Sequence, residues 1–303
     1  MNKIISYKKI LIFAALILAF PAQKVPAQKS SLKSQIGQIV KSASGTVGVA
    51  IAGLDDNFSL TVNNNKRFSM QSVYKFPLAL AVLDRVDKGT LSLDQKIRVT
   101  KTDLRPDTWS PLRDAFPEGG DLPLRDLLAY TVSKSDNNGC DILFRLLGGT
   151  KTVETYIRGL GVKDMAIAAT EEEMSKAWDV QFTNWSKPAA MLRLLTDFYR
   201  GRILSASSSD FLRTIMTETT TGPNRIKGLL PAGTIVAHKT GTSGTNDKGV
   251  TGAINDAGII MLPGGKHFAI VVYVSNTTDD EQKRDAVIAQ ITKAVWDYYS
   301  EKR

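Results

Sequence analysis

The chain has 303 residues, 43% of them hydrophobic and 23% charged, with a formal net charge of +9. This excludes a disordered or low-complexity polymer and allows one large domain or two interleaved ones around a substantial core. A single cysteine and two histidines exclude an internal disulfide and leave too few ligands for a hydrolytic zinc centre, so no metal or other cofactor is expected.

At the start, Lys3, Lys8 and Lys9 precede an apolar run from Ile10 to Phe20, and Val25-Pro26-Ala27-Gln28 brings small residues to a cleavage point. A basic start, a short apolar run and small residues describe a secretory signal peptide over residues 1–27, cut after Ala27, with Ala22 as the alternative. Eleven apolar residues are too few for a permanent membrane span, and no cysteine lies nearby to carry a lipid. Removing residues 1–27 takes away four lysines and leaves 35 basic against 30 acidic residues, a net charge of +5. The remaining cations are scattered and do not interleave with aromatics, so nucleic acid is not an expected partner. The reading is a periplasmic or secreted monomer without a stable membrane anchor, acting on small molecules.

Leu32, Ile36, Ile39 and Val40 then fall at helical spacing, and Val47, Val49 and Ile51 alternate as in a strand. Leu54-Asp55-Asp56-Asn57 is a turn before Leu60 and Val62. Near the other end, Ile259–Leu262 and Phe268–Val274 are strand-like runs joined by the hairpin signal Pro263-Gly264-Gly265. A last helix from Glu281 to Tyr299 aligns Val287, Ile291, Ala294, Val295 and Tyr298. Residues 72–215 are mainly helical in pattern. The expected architecture is α/β (α+β): an antiparallel sheet built from residues 28–71 and 216–303, flanked by helices, with an all-helical domain of residues 72–215 inserted. A small-molecule site belongs in the cleft between the two parts.

Three short motifs could carry chemistry there. In Ser72-Val73-Tyr74-Lys75, the apolar spacing of Val73, Phe76, Leu80 and Leu83 and the position of Pro77 start a helix. Ser72 then sits at the amino end of a buried helix with Lys75 one turn on, an arrangement that activates a hydroxyl. The same Ser-x-x-Lys spacing occurs at Ser6 and Ser30, so alone it says little. Ser135-Asp136-Asn137 precedes a helix with Cys140, Leu143, Phe144 and Leu147 on its apolar face. Helix capping explains the triplet equally well, and Cys140 reads as a small core residue. Lys239-Thr240-Gly241-Thr242 follows the apolar Ile235-Val236-Ala237. It is either a strand end that holds a carboxylate and offers a backbone N–H, or an edge strand guarded by its lysine.

The three motifs in this order resemble the class A serine β-lactamases from about residue 30 to the end. Gln71-Ser72-Val73, Thr219-Thr220-Thr221-Gly222, the run Ala237 to Gly244 and Asn255-Asp256 are most similar to the PER and VEB extended-spectrum branch. The resemblance implies hydrolysis of the β-lactam amide through an ester on Ser72. Within it, the backbone N–H groups of Ser72 and Thr242 hold the oxyanion. Lys75, or Glu171 through a water, activates the nucleophile, and Ser135 protonates the departing nitrogen. Lys239, Thr240, Gly241 and Thr242, with Arg225, bind the substrate carboxylate. Asn137 meets the acylamide chain, and Trp109 stands at the cleft mouth or is a packed surface aromatic. A DD-peptidase or a penicilloyl sensor shares the three motifs, but neither would have a base poised for deacylation.

That base is expected in Ala169-Thr170-Glu171-Glu172-Glu173-Met174-Ser175, inside an Ω-loop of about residues 166–184. Met174 matches the family's apolar position and selects Glu171 over its neighbours. Three positions depart from the family's commonest pattern. Ser175 replaces an asparagine that helps hold the hydrolytic water, and Ala169 and Asn184 replace an arginine–aspartate pair across the loop neck. A differently folded or more mobile loop, and a pocket wide enough for oxyimino-cephalosporins, are the expected consequences.

Overall fold

The computed structural model describes residues 24–301. The greater part of the leader read over residues 1–27 therefore lies outside the described residues. Helix α1 (Lys24–Ser42) leads into the hairpin of β1 (Thr46–Gly53) and β2 (Ser59–Val62). The short β3 (Phe68–Ser69) runs into a single 3-10 turn, Gln71–Tyr74, and then α2 (Lys75–Asp87). Strand β4 (Lys96–Val99), α3 (Pro111–Ala115) and β5 (Gly120–Pro123) come next. Helices α4 (Leu124–Ser133), α5 (Asn137–Leu147) and α6 (Thr150–Gly159) follow. The Ω-loop region holds β6 (Met165–Ala166), α7 (Glu171–Ser175), a 3-10 turn at Trp178–Thr183 and β7 (Trp185–Ser186). Helices α8 (Pro188–Tyr199) and α9 (Ala206–Thr217) return the chain to β8 (Val236–Thr242), β9 (Thr251–Met261), β10 (His267–Thr277) and α10 (Glu281–Ser300).

The main sheet has the order β2-β1-β10-β9-β8 and is antiparallel throughout, pairing the two ends of the chain as their alternation predicts. Period-two alternation sorts its side chains into two cores. Val47, Val49, Ile51, Ile270, Val272 and Val274 pack with Ile288, Ile291 and Val295 of α10 and with Leu32 and Ile36 of α1. On the other face, Ala50, Ala269, Val271 and Tyr273 join Leu78, Leu80, Leu143, Met191 and Leu195 of the helices. Helix α8 lies directly on β1 and β10.

Strand β9 begins eight residues before the Ile259 that opens its apolar run. Gly252, Asn255, Asp256 and Gly258 hide that extension from a propensity reading. Burial is compensated by partners from distant segments: Asn255 donates to the carbonyls of Ser69 and Met70, and Asp256 accepts from the Ile226 N–H. The middle of the chain is also less purely helical than its pattern. Strands β4 and β5 pair with each other, and β7 bridges β3 and β6.

Candidate active site

Lys75 is fully buried at the start of α2, and four oxygens surround its ammonium. Nζ donates to Ser72 Oγ at 3.0 Å, to the Ser135 carbonyl at 2.9 Å and to Asn137 Oδ1 at 2.5 Å, and lies 2.9 Å from Glu171 Oε1. Four oxygens compete for three N–H bonds, so the proton arrangement can shift without moving heavy atoms. The Ser72 hydroxyl, by a hydrogen bond, and the Glu171 carboxylate, as an ion pair, thereby both lie against a single nitrogen.

The Ser135-Asp136-Asn137 triplet divides its work. Asp136 is the N-cap of α5, accepting from the Gly139 N–H at 2.7 Å, and also takes the Leu112 N–H and the Ser110 hydroxyl. Burial still lifts its carboxyl above the usual range. Anchored in this way, it turns Ser135, in the left-handed region at φ 58°, and Asn137 toward Lys75. Capping and site-building are one arrangement. Asn137 Nδ2 donates to Thr108 Oγ1, and its backbone N–H to the Trp109 carbonyl. Trp109 itself is 62% exposed, with its indole N–H on the Lys134 carbonyl, so it is not a packed aromatic. Cys140 is buried as expected, its thiol pushed well up by burial and held against the Tyr74 hydroxyl.

Strand β8 is the free edge of the sheet on the site's other wall. The Ser243 N–H donates to the Ala253 carbonyl, so by antiparallel alternation the Thr242 N–H points off the edge and away from β9. A Cβ at Gly241 would lie 2.5 Å from the Met70 carbonyl and 3.2 Å from the Ser72 nitrogen. Only glycine lets the strand pass this close to the turn that carries Ser72. Lys239 Nζ donates to Ser135 Oγ and to the Thr240 carbonyl, both at 2.9 Å. Its full burial, and the charge of Lys75 nearby, drive its pKa well below the ordinary lysine value. An arriving carboxylate would relieve that strain.

Arg225 reaches the same edge from the loop after α9. Its guanidinium donates to Asp285 Oδ1 at 2.8 Å, to the carbonyls of Gly241 and Asn255 at 3.1 Å, and to Thr242 Oγ1 at 2.8 Å. Thr240 shares a 2.5 Å hydrogen bond with the Thr221 hydroxyl.

In the Ω-loop the three glutamates separate. Glu171 faces Lys75, Glu172 pairs with Lys176 at the surface, and Glu173 completes a capping box with Thr170. The neck is closed without charge. Buried Asn184 accepts from the Ala168 and Ala169 N–H groups at 2.7 and 2.9 Å and donates to the Ala169 carbonyl at 2.7 Å. The missing ion pair thus leaves a bonded neck. Ser175 is turned outward, donating to the Glu172 carbonyl and accepting from Arg105.

Asp141 was missed in the sequence. Its two oxygens accept the backbone N–H groups of Glu171 and Glu172, at 2.8 and 2.9 Å, which fastens the loop to α5. Burial, then the charge of Glu171, push its carboxyl up to about 6. Its spacing four residues after Asn137, on the same face of one helix, was the available signal.

A Ser72 hydroxyl on one buried lysine, a Ser135 hydroxyl on another, a free strand edge against the Ser72 turn and a loop carboxylate on Lys75 are the arrangement of a serine acyl-transfer hydrolase of the penicillin-recognising type. Comparison with known proteins makes this specific. The chain belongs to the β-lactamase enzyme family, whose family model matches residues 31–299. It is 45% identical to β-lactamase VEB-1 of Pseudomonas aeruginosa, over 97% of this chain and 99% of that protein. Identity to the extended-spectrum β-lactamase PER-1 of the same organism is 41%, over 93% of this chain and 92% of that protein. Among solved structures, a β-lactamase from Chitinophaga pinensis is 58% identical with a TM-score of 0.88, covering 89% of this chain and 99% of that one. The TLA-1 extended-spectrum β-lactamase is 57% identical with the same TM-score, covering 90% and 99%. The protein is a class A enzyme that hydrolyses β-lactams. Among the described residues, no helix is long and apolar enough to cross a membrane.

Proposed function

We propose that hydrolysis runs through an ester on Ser72 and that the substrates include oxyimino-cephalosporins. Ser72 Oγ attacks the lactam carbonyl carbon, and its proton passes to the Lys75–Glu171 pair. The Ser72 and Thr242 N–H groups hold the oxyanion. The lactam C–N bond breaks as Ser135 gives its proton to the nitrogen, and the proton held by the Lys75–Glu171 pair returns to the Ser135 oxygen by way of Lys239, which leaves Glu171 ionised. Because Ser135 Oγ already accepts from Lys239, its own hydrogen is free to point at the nitrogen. Lys239, Thr240, Thr242 and Arg225 bind the substrate carboxylate, Asn137 meets the acylamide, and Trp109 flanks the opening. A water then attacks the ester carbonyl and loses its proton to Glu171, and the ester C–O bond breaks as that proton returns through Lys75 to Ser72 Oγ.

The observation that carries this reading is the single Lys75 ammonium touching both Ser72 Oγ and Glu171 Oε1. For the oxyimino class, the support is the uncharged Ω-loop neck at Asn184 and the likeness to relatives named as extended-spectrum enzymes. We propose further that residues 1–27 are removed on export, and that the mature enzyme works as a monomer in the periplasm or outside the cell. Its two lobes would be residues 28–71 with 216–303, and 72–215, the latter including the Ω-loop of about 166–184.

Intact-mass measurement during turnover of a chromogenic cephalosporin tests the route. Glu171→Gln should accumulate a one-to-one adduct and Ser72→Ala should form none. An adduct trapped by Glu172→Gln and not by Glu171→Gln would reassign the base, and a persistent adduct on the unmodified enzyme would indicate a target or sensor. Negligible cefotaxime hydrolysis beside rapid penicillin hydrolysis would end the extended-spectrum proposal.

A further inference from the structure

Gln71 precedes the nucleophile and has no part in the chemistry above. Its backbone is in the left-handed region at φ 47°, which a residue with a Cβ occupies only when its surroundings hold it there. The side chain is buried, and its Nε2 donates to Gln181 Oε1 at 2.7 Å. Gln181 lies in the 3-10 turn of the Ω-loop, 110 residues away. It passes the interaction on, donating from Nε2 to the Trp178 carbonyl at 2.8 Å. Its own carbonyl accepts from the Ser69 hydroxyl at 2.8 Å. The two segments are therefore fastened twice, side chain to side chain and side chain to backbone.

The sheet supports the same fastening. Asn255 of β9 uses both N–H bonds of its amide on the Ser69 and Met70 carbonyls, at 2.8 and 3.0 Å. Beside it on β9, Gly252 is bare where a Cβ would lie 2.6 Å from Gln181 Oε1. The acceptor of the clasp is packed on strand backbone and cannot swing away. A circuit of amides thus runs from β9 through the nucleophile's turn to the Ω-loop.

We propose that the Gln71–Gln181 clasp is a positioning device that sets the Ser72 N–H and the Glu171-bearing loop in one register, so that a single contact governs both acylation and deacylation. This rests on the Ser72 and Glu171 roles given above. Rotation of the peptide between residues 71 and 72 would re-aim the oxyanion donor. Slippage of the 178–184 segment would move the loop from which Glu171 projects.

The test is a double-mutant cycle in single-turnover kinetics with cefotaxime and benzylpenicillin, using Gln71→Met and Gln181→Met, which keep volume and remove the hydrogen bond. Each single variant should slow both acylation and deacylation by about tenfold. The double variant should be no slower than Gln181→Met, which already lacks the Gln71 bond together with the Trp178 bond, so that adding Gln71→Met removes nothing further. Gln181→Glu, which can still accept from Gln71 but no longer donates to Trp178, should recover most of the acylation rate. Multiplying losses in the double variant, or single variants with parental rates and only a lowered melting temperature, would overturn the clasp. Intact mass of the parent and of Glu171→Gln is followed in parallel. If neither carries an ester on Ser72, the underlying mechanism fails, an outcome distinct from failure of the clasp.

Discussion

Asn184→Ala removes the whole uncharged closure of the Ω-loop neck. The N–H groups of Ala168 and Ala169 lose their acceptor and the Ala169 carbonyl loses its donor. Ala168 is exposed and water can replace its partner, but Ala169 is buried. Two buried backbone groups left unpaired at about 1–3 kcal/mol each give a loss centred near 3–4 kcal/mol. For a chain of this size that is a fall in Tm of roughly 6–12 °C, provided the loop unfolds with the rest of the molecule. Asn184→Asp separates hydrogen bonding from charge. Its two oxygens can still accept from Ala168 and Ala169, but they repel the Ala169 carbonyl, and alanine at 169 offers no cation. Burial would raise this carboxyl's pKa, so the variant should approach the parent at acidic pH and lose stability as pH rises. Calorimetric scans at pH 5 and pH 7.5, with protease digestion monitored across residues 169–184, check both claims. An Asn184→Ala enzyme within about 1 kcal/mol of the parent, with an uncut loop, would refute the reasoning.

The Asp141 latch should make deacylation sensitive to acid. Its carboxyl, raised to about 6 by burial and Glu171, holds its extra proton in the folded state between about pH 4 and 6. Its stabilising contribution is therefore largest below that window and is lost as pH rises through it. Function runs the other way, since protonation replaces one acceptor by an O–H and frees a loop N–H. Deacylation should slow below about pH 6, and Asp141→Asn should flatten that part of a pH–rate profile while slowing deacylation at pH 7 by about threefold to tenfold. Gly241→Ala places a Cβ against the Met70 carbonyl, and displacement of the edge strand should lower kcat/KM by about 100-fold in an enzyme that still folds by circular dichroism. Arg225→Ala leaves the Asp285 carboxylate buried without its partner and should cost about 3–5 kcal/mol in urea unfolding. Arg225→Ala with Asp285→Ala should cost less than Arg225→Ala alone.

Local order and chemical type were legible in the chain itself. Alternation at Val47–Ile51 and Phe268–Val274, the helical spacing after Ser72 and the final amphipathic helix reflect periods of two and 3.6, which any partner surface must match. The Ser-x-x-Lys, Ser-Asp-Asn and Lys-Thr-Gly motifs were visible because each sits within one element, where covalent spacing alone sets which side chains share a face. Choosing Glu171 from three adjacent glutamates took the resemblance and a single apolar neighbour. What folding decided was every contact between segments far apart in sequence. Asp141 beneath the Ω-loop, Asn184 across its neck and Gln71 on Gln181 carry no local signature, because a lone amide or carboxylate reads the same in a solvated loop as in a latch. The extension of β9 through glycine and polar residues was hidden for the same reason. Its intrinsic preference is poor, and only neighbours brought from elsewhere in the chain supply the hydrogen bonds that make its burial favourable.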